Sequence, residues 1–317
     1  MPLIIWVAIF IVSLSTLIKA AGYFTDAAEK IGLALGIPPF IVGVTIVAAG
    51  TSLPELAAAI FAMTSGSSDI VIGAVVGSNI TNIFLVLGVS VIIAKKIRII
   101  HELIRVDLPM LAASAFFVAV ISYDGTITRP EAFLALLGIF FYLSYTVAVD
   151  RQVDSEIEKE IEKELETKKA SNKDLAILVI SGIFITIGAK YTIDSVVRIA
   201  EMINIGTEVI ALSAVALGTS LPELAVSITA ARKGLGEIAV GNVLGSNIFN
   251  SFAVLGVAGM IGPVTVPGNI ISFALPLMII ATLLFFFITQ DKEVTKWEGW
   301  MLVLFYVFFI GKLFAVL

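Results

Sequence analysis

Cysteine is absent from this chain. That excludes disulfides and thiolate metal sites and leaves no clue to a redox compartment. Histidine occurs once, at His101, within a basic loop. With no partner histidine it reads as a solvated loop residue. Charge is scarce: 14% of the 317 residues are charged and 59% are hydrophobic, with a mean hydropathy of +1.06. A soluble domain carries about 25% charged residues and is under half apolar. So little polar surface cannot solvate a globule of this size, which leaves a membrane protein as the class. The net charge of −5 says little about partners, because much of the acid lies between Asp150 and Asp174. The lipid bilayer is the partner that composition implies; no nucleic-acid or protein partner is evident, and no cofactor is called for. The first apolar stretch lacks a basic leader and an A-x-A cleavage site, so it reads as a retained span. H-E-x-x-H, G-x-S-x-G and an intramembrane Asp pair are also missing, which speaks against an intramembrane hydrolase and against an enzyme generally.

What the chain does have is a series of apolar stretches, each near the roughly 20 residues that cross a bilayer as a helix. They fall at about 3–33, 38–64, 69–94, 106–122, 130–149, 174–200, 206–231, 236–262, 268–289 and 297–316. The pattern predicts an all-α polytopic membrane protein of about ten transmembrane helices. Asp26, Glu29 and Lys30 should carry the end of the first into the interface. The segment GTSLPEL at 50–56 recurs at 218–224, and GSNITN at 77–82 recurs as GSNIFN at 245–250. Both pairs share one offset, and the register runs without a gap from Tyr23/Tyr191 to Gly88/Gly256. This is an internal duplication. It divides the chain into a first repeat (1–149), a charged connector (150–173) and a second repeat (174–317). Five helices per repeat is an odd number, so the second must enter the membrane from the opposite face. Inverted repeats of this kind build many secondary transporters, with the substrate near the midplane between the halves.

Fifteen Lys and Arg residues belong to one side of the predicted topology, against Arg129, Arg198 and Lys312 on the other. The positive-inside rule then puts the connector in the cytoplasm and both termini outside. Within the connector, Val153, Ile157, Ile161 and Leu165 recur at four-residue spacing amid Glu–Lys pairs, which reads as an amphipathic cytoplasmic helix.

Glu55 and Glu223 each fall mid-span in an otherwise apolar helix. An ionisable group there costs about 2.5 kcal/mol or more, so it normally faces the bundle interior and serves a pathway. Lys19 and Lys190 are the nearby basic residues that could make the glutamates merely structural. Pro54 and Pro222 lack an amide hydrogen and clash with the carbonyl four residues earlier, at Gly50 and Gly218. The break frees carbonyls, which must be satisfied at membrane depth, and a cation can do this. Thr51 and Ser52, like Thr219 and Ser220, stand four and three residues before each glutamate, on one face of an unbroken helix. Ser78 and Asn82, like Ser246 and Asn250, are four apart and share a face. Gly73 with Gly77, and Gly241 with Gly245, form small-xxx-small pairs that let two helices approach other backbones closely. The donors are all oxygen, which defines a hard-cation site. Two carboxylates neutralise one Ca²⁺, and Na⁺ ions can use the same oxygens singly.

GTSLPEL with GSNIxN, twice, resembles the two α-repeats of the sodium/calcium exchanger family within the cation/calcium antiporter superfamily. The resemblance covers both halves. It implies ten helices, an inverted repeat, and alternating exchange of Na⁺ for Ca²⁺ across the plasma membrane at one central cluster. By position, Glu55 and Glu223 would bind Ca²⁺ and Na⁺, and the Thr51 and Thr219 carbonyls would assist with Ca²⁺. Ser52, Ser78, Ser220 and Ser246, with the carbonyls of Ala48 and Ala216, would serve Na⁺, with Asn82 and Asn250 at the centre. Potassium-dependent relatives carry Asp where this chain has Asn250, which argues against K⁺ cotransport. Proton/calcium relatives read G-N-x-x-E at the first motif, and this chain does not. An H⁺/Ca²⁺ antiporter on the same scaffold is the nearest alternative, since two protons also neutralise two glutamates; a cation channel is a further one.

Overall fold

In the computed structural model, residues 3–101, 106–149, 171–202, 218 and 220–313 are described. Among them the chain forms ten successive helical segments. These are α1 (Leu3–Ala34), α2 (Pro39–Thr64), α3 (Ser68–Ala94), α4 (Asp107–Ile121), α5 (Arg129–Val149), α6 (Asn172–Met202), α7 (Leu221–Arg232), α8 (Gly236–Ile261), α9 (Ile270–Thr289) and α10 (Lys296–Leu313). Six of them, α1, α2, α3, α6, α8 and α9, are long and apolar enough to cross a membrane. The predicted connector lies almost wholly outside the described residues, as does the first part of the predicted 206–231 span.

Four short strands explain how the halves are related. They are β1 (Lys96–Arg98), β2 (Thr126–Ile127), β3 (Val264–Thr265) and β4 (Glu293–Thr295). β1 pairs antiparallel with β4, and β2 with β3. β1 precedes α4 and β4 follows α9, so the start of α4 lies beside the end of α9. β2 follows α4 and β3 precedes α9, so their other ends also meet. The two helices therefore run antiparallel, and they pack on each other. Asp107–Ile121 of α4 and Leu275–Thr289 of α9 stand 168 residues apart, the offset of the sequence repeat. Two equivalent helices held antiparallel at both ends make the halves inverted copies. The offset also extends further than the motifs alone reveal.

Burial grades from the centre outward. In α3 and α8, 72% and 78% of the spanning window is buried; in α1 and α6 it is 17% and 28%. The central pair thus carries the interior, and α1 and α6 pack on each other at the periphery, presenting apolar side chains such as Ile4, Ile11, Val179 and Ile183 outward. The main core joins α3, α4, α8, α9 and α10, with Phe84, Ile83, Leu244 and Phe285 fully buried. A second core gathers α1, α2, α6 and α7 around Leu17, Phe24, Val47 and Val226. The molecule is a multi-pass membrane protein.

Helix α1 runs through Asp26, Glu29 and Lys30 to Ala34. There Lys233 donates to Asp26 at 2.6 Å and Lys30 sits 3.8 Å from Asp174, so these charges are tied to neighbouring segments. One expectation needs correcting: His101 is not a solvated loop residue. Its ring stacks on Phe40, with centroids 4.6 Å apart, and Nε2 lies 3.1 Å from Oδ2 of the buried Asp107. Tyr142 donates to the other Asp107 oxygen at 2.9 Å. A buried carboxylate needs donors, and the loop after α3 folds back to supply one.

Candidate functional site

The local chain breaks where the repeated motifs lie. In α2 a π-helical stretch, Gly43–Val47, leads to a single helical turn, Ala48–Thr51, which ends at Ser52 with φ −87° and ψ 2°. A new helix then starts with Pro54 in its first turn, where a missing amide hydrogen is harmless. Ser220 repeats the break in the second half, with φ −90° and ψ 5°, ahead of Pro222. Helices α3 and α8 each carry a π-helical stretch of their own, Asn82–Leu87 and Asn250–Val254. Each begins at the second motif asparagine, a kind of irregularity that clusters at functional sites.

The described members of the predicted site converge in the buried centre. Ala48, Ser52, Asn82, Glu223, Ser246 and Asn250 have no solvent exposure; Thr51, Ser78, Ser220 and Glu55 have 6% or less. Thr219 and Ala216 lie outside the described residues. Glu55 and Glu223 are close enough for their charges to repel. Among the described residues neither carboxylate has a basic partner, and Lys19 and Lys190 are both exposed. The structural-pair alternative for the glutamates therefore fails. Both oxygens of Glu55, Oε2 of Glu223, Oγ of Ser220, Oδ1 of Asn82 and both amide atoms of Asn250 are buried without a hydrogen-bond partner among the described residues. Buried polar groups are normally paired. Two carboxylates amid neutral oxygens, all short of donors, can hold cations.

The break at Ser52 changes the partners expected from helical spacing. Ser52 Oγ donates to Oε1 of Glu223 at 3.2 Å, and the Thr51 hydroxyl donates to Oδ1 of Asn242 on α8 at 3.2 Å. Both hydroxyls thus serve the other half, Ser52 its glutamate and Thr51 its Asn242, because the chain has turned at Ser52 before it reaches Glu55. Among the described residues the expected close approach of glycines is seen on α8. A Cβ on Gly241 or Gly245 would collide with the α2 backbone at Phe40 or Val44, as would one on Gly43 with the α8 backbone at Ile238. Gly77 has no described neighbour within 4 Å, and Gly73 meets only the tip of Ile270. The counterpart of the α2–α8 contact for α3 would fall on residues 203–217, outside those described.

Sequence reasoning missed the first asparagine of each second motif. Asn79 Nδ2 donates to the Asn247 carbonyl at 3.4 Å, and Asn247 Nδ2 donates to the Asn79 carbonyl at 3.2 Å. This reciprocal clamp ties α3 to α8, and Asn82 Nδ2 adds a bond to Asn247 Oδ1 at 3.1 Å. The signal was available: both residues recur at the repeat offset.

A helical membrane protein of two inverted halves, with helices broken around a buried carboxylate pair, has the architecture of a secondary transporter. The family model for the sodium/calcium exchanger protein matches residues 5–149 and 173–314, and the chain belongs to that family. It is 39% identical to the sodium/calcium exchanger MaX1 of Methanosarcina acetivorans, covering 97% of this chain and 98% of the relative. It is 32% identical to the inner membrane protein YrbG of Escherichia coli over 81% of this chain and 80% of the relative. Among solved structures it resembles the sodium-calcium exchanger NCX_Mj soaked with 100 mM Na⁺ and 10 mM Sr²⁺. The TM-score is 0.83 at 30% identity, covering 98% of this chain and 99% of that one.

Proposed function

We propose that this chain is a secondary antiporter of the plasma membrane that exchanges Na⁺ for Ca²⁺ by alternating access, without K⁺. The observation that carries the proposal is the pair of buried glutamates whose free oxygens face neutral oxygen donors and no basic partner. An empty site of charge −2 is costly to carry through a low-dielectric barrier. Ca²⁺ cancels that charge directly. Na⁺ ions cancel it singly and need further neutral oxygens to replace their water. Either cargo makes the crossing cheap and the empty site does not, which couples the two fluxes.

In this reading Glu55 and Glu223 take both ions, and the carbonyls of Thr51 and Thr219 join Ca²⁺. Ser52, Ser78, Ser220 and Ser246, with the carbonyls of Ala48 and Ala216, complete the Na⁺ positions around Asn82 and Asn250. Both asparagines are neutral, so the four motifs supply no negative charge beyond the two glutamates, and a cotransported K⁺ would need more. The halves 1–149 and 174–317 move against each other around the site. The 150–173 connector joins them on the cytoplasmic face, and both termini are outside. Ca²⁺ and Na⁺ are substrates rather than resident cofactors.

Coupling to protons on the same scaffold is the competing reading, and the number of buried neutral oxygens favours Na⁺, since protons need none. The deciding experiment is calcium uptake into proteoliposomes under imposed Na⁺, K⁺ or H⁺ gradients. Uptake that follows Na⁺ alone supports the proposal; uptake that follows pH without Na⁺ overturns it.

A further inference from the structure

We propose that Asn242 is a positioning residue of the ion site and makes its two pseudo-symmetric parts inequivalent. The proposal rests on the ion-site reading above. The repeat offset groups Thr51 and Ser52 with Glu223 and Ser246 on one side, and Thr219 and Ser220 with Glu55 and Ser78 on the other. Only the first group has Asn242 and Ser227 beside it. Their counterparts in the first half are Ala74 and Ala59, which can neither donate nor accept.

The orientation of the Asn242 amide is determined by its neighbours. Nδ2 lies 2.9 Å from Ser227 Oγ and 3.5 Å from the Glu223 carbonyl. A carbonyl can only accept, so the amino group faces this way and Oδ1 faces the site. There Oδ1 accepts from Thr51 Oγ1 at 3.2 Å and, at the outer limit, from Ser246 Oγ at 3.5 Å. Asn242 is fully buried and spans Thr51 on the broken turn of α2 and both Glu223 and Ser246 of the second half.

This arrangement matters because a hydroxyl has one proton and coordinates a cation only through its lone pairs. As the structure stands, Ser52 directs its proton at the Glu223 carboxylate and Thr51 directs its own at Asn242 Oδ1, with the Ala48 carbonyl 3.3 Å away. A cation on Glu223 needs lone pairs, not protons, from the hydroxyls around it. Asn242 Oδ1 already holds the proton of Thr51 and accepts that of Ser246, so these oxygens turn their lone pairs inward. It also fixes the Thr51 turn, whose carbonyl the ion-site reading assigns to Ca²⁺, against α8. The Glu55 group has Ala74 and Ala59 at the positions of Asn242 and Ser227, and there the oxygens of Glu55 and Ser220 are without partners among the described residues. The Glu223 group is thus the prearranged part of the site, and the Glu55 group must be organised by the ion.

The test compares wild type, Asn242→Ala and Ser227→Ala, purified and in proteoliposomes. Calcium-dependent thermal stabilisation and the half-saturation of Na⁺-driven calcium uptake are measured for each. Groups that orient ligands typically change metal affinity roughly ten- to a hundredfold. We expect Asn242→Ala to raise calcium half-saturation by roughly tenfold or more, exceeding any fall in maximal rate. Ser227→Ala, which removes only the amide's anchor, should shift it in the same direction by less. An unchanged half-saturation in Asn242→Ala overturns the proposal, as does a lower ion-free melting temperature with no change in calcium dependence. If Asn242→Ala does not fold, Ser227→Ala decides: a wild-type half-saturation there overturns the proposal. Failure of the exchanger reading would instead show in wild type, as calcium uptake indifferent to Na⁺.

Discussion

Replacing Glu55 by Gln tests the ion site with two readouts that should move in opposite directions. The residue is 6% exposed, and its buried carboxylate has no hydrogen-bond donor among the described residues and lies near a second carboxylate. Two unit charges about 4 Å apart at an effective dielectric of about 20 interact by roughly 4 kcal/mol, so a divalent ion gains about 8 from one carboxylate. Dehydrating that carboxylate offsets several kcal/mol, and removing one partner of a buried pair nets about 3–5 kcal/mol. At 1.4 kcal/mol per tenfold, calcium affinity should fall between about a hundredfold and several thousandfold. Without ions the sign reverses. Gln relieves the repulsion with Glu223 and the burial of an unpaired charge, so the ion-free melting temperature should equal or exceed that of wild type. Calcium at a hundred times the wild-type dissociation constant stabilises wild type by about 2.7 kcal/mol, and should stabilise the variant by a few tenths at most. Thermal melts of purified protein with and without calcium read both quantities. A wild-type calcium shift in Glu55→Gln would refute the site. A sharp fall in ion-free stability would make Glu55 a structural group instead.

The remaining predictions address charge, topology and packing. Glu223→Gln should also abolish calcium uptake while folding normally, because a glutamine oxygen still accepts from Ser52; uptake at the wild-type rate would contradict this. Replacing K⁺ by choline on both sides should leave Na⁺-driven calcium flux unchanged, while Asn250→Asp should alter cation selectivity or the number of coupled ions; loss of flux in choline would refute the reading of Asn250. An impermeant thiol reagent should label Lys163→Cys only from the cytoplasmic side and Tyr123→Cys only from outside, and the reverse pattern would refute the orientation; no native cysteine interferes. Gly245→Val should prevent α2 and α8 from closing and abolish the folded monodisperse peak in size-exclusion chromatography, since its Cβ has no room beside Val44. His101→Ala should lower stability by about 1–3 kcal/mol, because it removes one of the donors to buried Asp107; an unchanged melting temperature would refute that contact.

Much was decided by the linear sequence. Hydropathy and segment length place the chain in a bilayer, because an apolar run must satisfy its own backbone and therefore becomes a helix. A duplication is a one-dimensional property, so GTSLPEL and GSNIxN disclosed the two halves and put Glu55 and Glu223 in equivalent positions. Tertiary structure decided who meets whom. Helical spacing placed Ser52 beside Glu55, but that arithmetic assumes an unbroken helix, and the turn at Ser52 directs its hydroxyl to Glu223. The reciprocal bonds of Asn79 and Asn247, the strand pairs that hold α4 antiparallel to α9, and the contacts of His101 with Phe40 and Asp107 likewise escape periodicity. Helical periodicity reports contacts three or four residues apart, whereas the site is assembled by contacts between the halves, about 170 residues apart.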